Sequence, residues 1–342
     1  MLDDKDYIAR IDPDDGLSVA YEQPKQLDLQ VELDIDMKNK ISNVVVAGMG
    51  GSALAAGIAQ NWWSEKLTVP LEVVRDYKLP GYVDSSTLVV CSSYSGNTEE
   101  TRSAFADAKA KHANIVVIAS GGELESLAGE AGVPFIQIPR GFQPRMAVWF
   151  GVKALSELFE HLHLIEGATS ELRDAQPLLF SAAKEWAKDT PTEKNYAKQI
   201  AEQLMGKTPW VYAGPQLSSA AYKWKIDLNE NAKNVANWNC FPEFNHNEFI
   251  GWTSHPVEKP FAVVELISNL DHPQIEKRFE VTNDLLSGRM PAPELVEVKG
   301  QTQIEQILWA CLLGDFVSIY LGILNGVNPV RVDAIEKLKG AL

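Results

Sequence analysis

Cysteine is scarce in this chain, with only Cys91, Cys240 and Cys311 among 342 residues. Odd in number and far apart, they exclude a disulfide framework and suggest reduced thiols in a cytoplasmic protein. Positive charge is short as well: 31 Lys and Arg stand against 46 Asp and Glu, a formal net charge of −15. That balance argues against nucleic acid or an anionic membrane as a partner. A small anion is still admissible, because backbone amides can hold one inside an acidic protein. The longest apolar stretch, Ile307 to Leu324, is broken by Gly314-Asp315, Ser318 and Gly322 and reads as a buried helix, not a membrane span. Met1-Leu-Asp-Asp-Lys-Asp is charged from its start and shows no signal pattern. No Gly-Lys-Ser/Thr follows a glycine loop, and Ala53 stands where a dinucleotide fingerprint needs glycine. His161-Leu-His163 has a spacing that does not share a helix face, so neither a metal nor a cofactor is expected.

What is present is an alternation of short apolar runs and helical patterns. Val44 to Gly48, Leu71 to Val74, Thr87 to Cys91, Asn114 to Ala119 and Pro134 to Ile138 read as strands, with helices over Thr98 to Lys111 and Glu123 to Glu130. Continuous apolar strands separated by helices predict an α/β fold with a parallel sheet covered on both faces. Residues 146–205 read as helical. A second series opens at Pro209-Trp-Val-Tyr-Ala-Gly214, followed by Ser218-Ser-Ala-Ala, with further strands at Phe261 to Leu266 and Glu294 to Val298. Two similar α/β domains are expected, residues 1–160 and 161–342.

Two strand-to-helix turns carry the chemistry of the first domain. Ser93-Tyr-Ser95-Gly-Asn-Thr98-Glu-Glu gathers three side-chain hydroxyls and a helix N-terminus around one point, where a phosphate ester fits without lysine. An ordinary Ser/Asn cap with a capping-box glutamate would look the same in sequence. Gly48-Met-Gly50-Gly51-Ser52 is the partner turn: its glycines would let backbone approach a ligand, with Ser52 at the helix start. A tight turn needing glycine for helix packing is the alternative. Both turns would lie beyond the carboxyl ends of strands, where open α/β sheets bind ligands.

These paired elements resemble the sugar isomerase (SIS) domain. Gln143-Pro-Arg145, Leu228-Asn-Glu230-Asn-Ala-Lys233, Pro242-Glu-Phe-Asn-His246-Asn-Glu248 and the run from Gly326-Val-Asn-Pro329 to Ile335-Glu-Lys-Leu-Lys339 resemble the bifunctional phosphoglucose/phosphomannose isomerase family. The resemblance implies two SIS-type domains, each a mostly parallel sheet flanked by helices. It implies a phosphosugar substrate and interconversion of glucose 6-phosphate and fructose 6-phosphate by a cis-enediolate proton transfer, with mannose 6-phosphate as a further candidate substrate. Gly50, Gly51, Ser52, Ser93, Ser95 and Thr98 would then bind substrate. Glu230 would shuttle the proton between C1 and C2, for which one carboxylate suffices. His246, in a loop, would open the sugar ring as a general acid and base. Arg145 would stabilise the enediolate, and Lys339, with Lys337 as the alternative, would contact the sugar oxygens. A homodimer is expected if His246 serves a neighbouring subunit's site. A non-catalytic sugar-phosphate-binding protein is the rival reading, with no need of Glu230, His246 and Arg145 together. One departure stands out: Pro329-Val-Arg-Val-Asp333 lacks the small hydroxyl residue the family pairs with mannose 6-phosphate activity.

Overall fold

In the computed structural model, which describes residues 1–37, 40–253 and 260–339, the chain divides into two compact units. One comprises Gln23–Gln176, the other Met1–Glu22 together with Pro177–Leu342. In chain order the helices are α1 (Lys5–Ile11), α2 (Gly16–Glu22), α3 (Gly50–Trp62), α4 (Glu99–Ala110), α5 (Glu123–Ala131), α6 (Val148–His161) and α7 (Ala168–Glu185). They continue as α8 (Tyr196–Leu204), α9 (Ser218–Glu230), α10 (Glu248–Thr253), α11 (Pro273–Leu285), α12 (Gln303–Leu324) and α13 (Asp333–Lys339). The strands are β1 (Asn43–Ala47), β2 (Leu71–Val74), β3 (Thr87–Ser93), β4 (Asn114–Ala119), β5 (Phe135–Gln137), β6 (Thr208–Ala213), β7 (Asn237–Cys240), β8 (Phe261–Ile267) and β9 (Glu294–Glu297).

Every strand pairing is parallel, in the orders β2-β1-β3-β4-β5 and β7-β6-β8-β9. The second order repeats the first, strand for strand, as far as it runs. The sequence pattern leads to the same α/β architecture, with one omission. Strand β7 has the sequence Asn-Trp-Asn-Cys and none of its residues is fully buried, so it offers no apolar run to read. The sheet of the first unit is buried along β1, β3 and β4, where Val44 to Val46 and Leu88 to Val90 are at 0% exposure.

The division of the chain differs from a boundary at residue 160. It falls at Gln176/Pro177, inside α7, and residues 1–22 group with the second unit. Side-chain chemistry accounts for that grouping. The Asp12 carboxylate accepts from the Gly16 and Leu17 amides (2.9 and 3.1 Å) and so starts α2. Asp14 accepts from Asn328 Nδ2 (2.7 Å) and Arg331 Nε (3.1 Å), and the Tyr7 hydroxyl donates to the Ile323 carbonyl. The wholly buried Lys198 donates to Asp3 Oδ1 (3.0 Å) and to the carbonyls of Lys188 and Thr190. The Pro329-to-Asp333 segment therefore rests on these N-terminal residues.

Helix α12 is apolar and 22 residues long, yet 94% of its most apolar stretch is buried within the protein. The interruptions seen in the sequence are its contacts with α9. A Cβ at Gly314 would stand 2.6 Å from the Trp224 ring, and one at Gly322 2.6 Å from the Asn231 carbonyl. Ser318 accepts from Asn231 Nδ2 at 2.8 Å, and Asp315 accepts from Lys223 Nζ at 2.6 Å. The core of the second unit's other face is aromatic, with Tyr212, Phe241, Phe244, Trp252 and Phe279 packed together.

Glu265 of β8 lies within this core at 0% exposure, opposite Tyr212 in the sheet register. Its Oε2 accepts from Asn283 Nδ2 (2.8 Å), while Oε1 meets no donor among the described residues. Burial pushes the carboxyl from its ordinary 4.5 up to about 7. Below pH 4.5 it is protonated folded or unfolded and stability is unaffected. As pH rises from there through about 7, only the unfolded chain ionises freely, so the fold loses stability until the penalty is complete. Glu265→Gln should remove that dependence. Melting temperatures of variant and parent should be closest near pH 4.5 and diverge, variant higher, toward pH 8.

Candidate active site

In the first unit, β1 and β3 are neighbours whose connections leave toward opposite edges of the sheet, β2 on one side and β4 on the other. The crevice beyond such a pair is where open α/β sheets bind ligands. Gly48–Ser52 and Ser93–Thr98 both lie at this crevice, following β1 and β3, and they touch: the Tyr94 amide donates to Ser52 Oγ at 2.9 Å. Ser93, 1% exposed, accepts from the Gly96 amide and shares a hydrogen bond with Thr98 Oγ1 at 2.8 Å. Ser95 is exposed and accepts from the Asn97 amide.

The local structure separates the two sequence-level alternatives for the Ser93 loop. Thr98 occupies the N-cap of α4 with extended backbone, but its side chain makes no capping bond. Its hydroxyl is turned to Ser93 instead, so the amides of the first turn are not satisfied by the cap. The N-cap of α3, Met49, likewise offers no side-chain acceptor. Two helix N-termini thus face the crevice without the side-chain oxygens that usually cap them, and an anion could take that place. Acidic Glu99 and Glu100 in the first turn of α4 are its ordinary dipole partners.

For two of the glycines the packing alternative holds. A Cβ at Gly48 would lie 2.6 Å from the Ser92 carbonyl oxygen, and one at Gly51 would lie 2.3 Å from that of Pro144. Their small size lets protein backbone approach protein backbone. Gly50 is different: φ is +50°, in the left-handed region, and nothing lies within 4 Å of its missing side chain. It is the glycine with open space before it.

Gly51 also ties Arg145 to this end of the unit. Pro144–Met146 forms a 3-10 turn, and α6 starts only at Val148, so Arg145 precedes the helix instead of beginning it. The side chain is 1% exposed. The segment leading to it is anchored by the Phe142 amide, which donates to the Tyr94 hydroxyl at 2.9 Å. Gly50, Gly51, Ser52, Ser93, Ser95, Thr98 and Arg145 are therefore gathered in one unit.

The second unit carries the remaining residues. Glu230 is the last residue of α9 and partly exposed. The flanking asparagines fix that helix end: Asn229 Oδ1 accepts from the Ala236 amide (3.0 Å), and Asn231, fully buried, donates to Ser318. The stripe of Lys223, Asp227 and Glu230 along α9 is not a solvated face. Lys223 and Asp227 are at 0% exposure, and Lys223 Nζ donates at 2.6 Å to both Asp227 Oδ2 and Asp315 Oδ1. Burial alone would lower the lysine's pKa; the two carboxylates outweigh it and hold the ammonium above its ordinary range.

His246 is exposed, at the end of the short turn Glu243–His246. Lys339 closes α13, and its side chain lies outside the described residues; Lys337 is exposed. Among the described residues no group of three or more His, Cys, Asp or Glu could hold a metal ion.

One feature of the second sheet escaped the sequence. At the crevice between β6 and β8, the counterpart of that between β1 and β3, the Asp271 carboxylate accepts from the Gln216 amide at 3.1 Å. It lies so near Gly214 that a Cβ there would be 1.9 Å from Oδ2. Burial pushes Asp271 up to about 6. An internal carboxylate thus stands at the place where the first sheet leaves its helix ends uncapped. Only Gly214 hinted at it.

Comparison with known proteins agrees with this architecture. Residues 38–135 match the SIS domain, and residues 193–342 match the bacterial phospho-glucose isomerase C-terminal SIS domain. The chain is 37% identical to the bifunctional phosphoglucose/phosphomannose isomerase of Caldicellulosiruptor bescii, over 94% of each. It is 30% identical to the D-glucosamine-6-phosphate 4-epimerase of Sulfolobus acidocaldarius, over 94% of this chain and 97% of that protein. A glucose-6-phosphate isomerase like protein from Thermus thermophilus shares the fold, with a TM-score of 0.65 at 17% identity, over 97% of this chain and 98% of the other.

Three outcomes follow from the geometry. Gly51→Ala forces a Cβ into the Pro144 backbone and should destabilise the first unit by about 1–3 kcal/mol. Gly50→Ala, with open space, should cost only its left-handed backbone, about 1 kcal/mol; denaturant titrations of both variants compare them. Lys223→Met leaves two buried carboxylates without their cation and should cost about 3–5 kcal/mol, read from the same titrations.

Proposed function

The chain belongs to the bifunctional phosphoglucose/phosphomannose isomerase family, and we propose that it interconverts glucose 6-phosphate and fructose 6-phosphate through a cis-enediolate. The observation that carries this reading is the pair of helix N-termini without side-chain caps, lined by Ser52, Ser93, Ser95 and Thr98. In the proposal the 6-phosphate takes the amides and hydroxyls of that crevice. Holding the substrate by a group remote from C1 and C2 leaves the reacting carbons free to be positioned over a base.

Glu230 is assigned the proton transfer. A single carboxylate can remove the proton from C2 and return it to C1, because a base over one face of the planar cis-enediolate reaches both carbons. His246 is assigned ring opening: it gives a proton to the ring oxygen as that oxygen's bond to the anomeric carbon breaks, and water takes the proton of the anomeric hydroxyl. Arg145, and Lys339 with Lys337 as the alternative, are assigned to the oxygens on which negative charge develops. The exposure of His246 supports the further proposal of a homodimer in which it serves a partner's site. The three free thiols, two of them buried, support a cytoplasmic setting.

Mannose 6-phosphate is proposed as the second substrate on the strength of the relatives' names. The Pro329–Asp333 segment, without a hydroxyl residue, is the place where this chain could narrow that choice. The Sulfolobus relative favours a second reading, an epimerisation of an amino-sugar phosphate. A coupled assay with fructose 6-phosphate, mannose 6-phosphate and glucosamine 6-phosphate separates these readings. A non-catalytic phosphosugar-binding protein would be inert in every arm. Glu230→Gln should keep sugar-phosphate binding, measured by calorimetry, while turnover falls on the order of 10²–10⁴-fold. Near-normal turnover in that variant would remove Glu230 from the mechanism.

A further inference from the structure

Two residues beyond His246, Glu248 makes a set of contacts that a surface carboxylate at a helix start does not need. Its Oε1 accepts from the hydroxyl of Tyr212, on β6. Its Oε2 accepts from Asn239 Nδ2, on β7, at 2.6 Å. Tyr212 is fully buried, and its oxygen accepts from Trp252 Nε1 at 3.1 Å. Asn239 is held in turn, since its Oδ1 accepts from the Cys240 amide at 2.8 Å. On the other side of His246, Phe244 is wholly buried against Tyr212 and Phe241, and Asn245 is bonded to Thr282 and Arg278. The exposed histidine is thus carried on a turn fastened on both sides.

From this geometry we infer that Glu248 is a positioning residue for His246, fixing the ring-opening histidine by anchoring its loop to β6 and β7. The inference rests on the reading of His246 given above. The simpler account of Glu248 is that it complements the dipole of the short helix α10, whose first residue it is. That account needs a negative charge near the helix start and no particular donor. The positioning account needs two donors on two strands, with their polarity fixed, because charge-assisted bonds of this kind set geometry as well as energy.

The polarity gives a clean test. In Glu248→Gln the new amide carries one acceptor and one donor. If its oxygen faces Tyr212, its NH2 faces Asn239 Nδ2, and Asn239 cannot turn without losing the Cys240 amide. If the new amide is turned over, the Tyr212 proton loses its acceptor. Either way one anchor is broken. Adding Asn239→Asp restores it: the new carboxylate still accepts from the Cys240 amide and now also accepts from the amide NH2.

The readout is isomerisation of two substrates, fructose 6-phosphate and its 5-deoxy analogue, which has no hydroxyl with which to close a ring. Glu248→Gln should lower kcat on fructose 6-phosphate on the order of tenfold or more and leave the open-chain analogue within about twofold. Glu248→Gln combined with Asn239→Asp should recover most of the lost rate. Equal loss on both substrates, no loss on either, or failure of the second substitution to restore the rate would each overturn the inference. His246→Gln is run in parallel. If it separates the two substrates and Glu248→Gln does not, the positioning role alone fails; if it does not separate them, the ring-opening reading fails and this inference with it.

Discussion

The second unit is organised around one ammonium group in a dry seam. Lys223 Nζ sits 2.6 Å from carboxylate oxygens on its own helix and on α12, with all three side chains essentially removed from water. Taking three charges out of water is expensive, and their mutual attraction repays it only when the geometry is held. The seam holds it through size as well as charge, with Trp224 over Gly314 and the end of α9 over Gly322. Helix α9 can therefore occupy one register against α12, and Glu230 inherits its place from that register. The same contacts explain why so apolar a helix is internal: its small and polar residues are matched one by one across the seam.

The first unit is governed by absence of side chains rather than presence of charge. With hydrogen at Gly48 and Gly51, β1 and α3 come within backbone contact of β3 and of the Pro144 turn. That crowding brings the two hydroxyl-bearing loops together, and the hydroxyls then bond to one another and to amides instead of capping the helices. The second sheet repeats the order of the first four strands and has a carboxylate in the corresponding crevice. The two units thus show one topology in two electrostatic conditions, open to an anion in one and internally neutralised in the other.

Much of this was readable from the chain. Apolar runs gave eight of the nine strands among the described residues, because a buried parallel strand must be apolar on both faces, and β7 was silent because it is not. The Ser93 loop was legible as hydroxyls at a helix start. Whether Thr98 capped that helix was not, since the choice depends on where Ser93 Oγ lies. Nothing local marks Lys223 and Asp227 as buried, because Asp315, which completes their cluster, is far away in sequence. Arg145 carries no local signal of its burial, which follows from the 3-10 turn Pro144–Met146 packed on Gly51. Asp271 left almost no trace, and Glu248 only its place at the end of the His246 motif, as their donors lie on other elements.

Residues 1–22 fold onto residues 177–342, with Asp14 bonded to Asn328 and Arg331, and Asp3 to Lys198. During synthesis, the unit spanning 23–176 can complete its sheet as soon as its own residues have left the ribosome. The N-terminal helices must wait for partners that follow that unit, the first at Lys188 to Lys198 and the last at Asn328 and Arg331. The unit that holds Glu230 is thus closed only after the unit spanning 23–176 has been made in full.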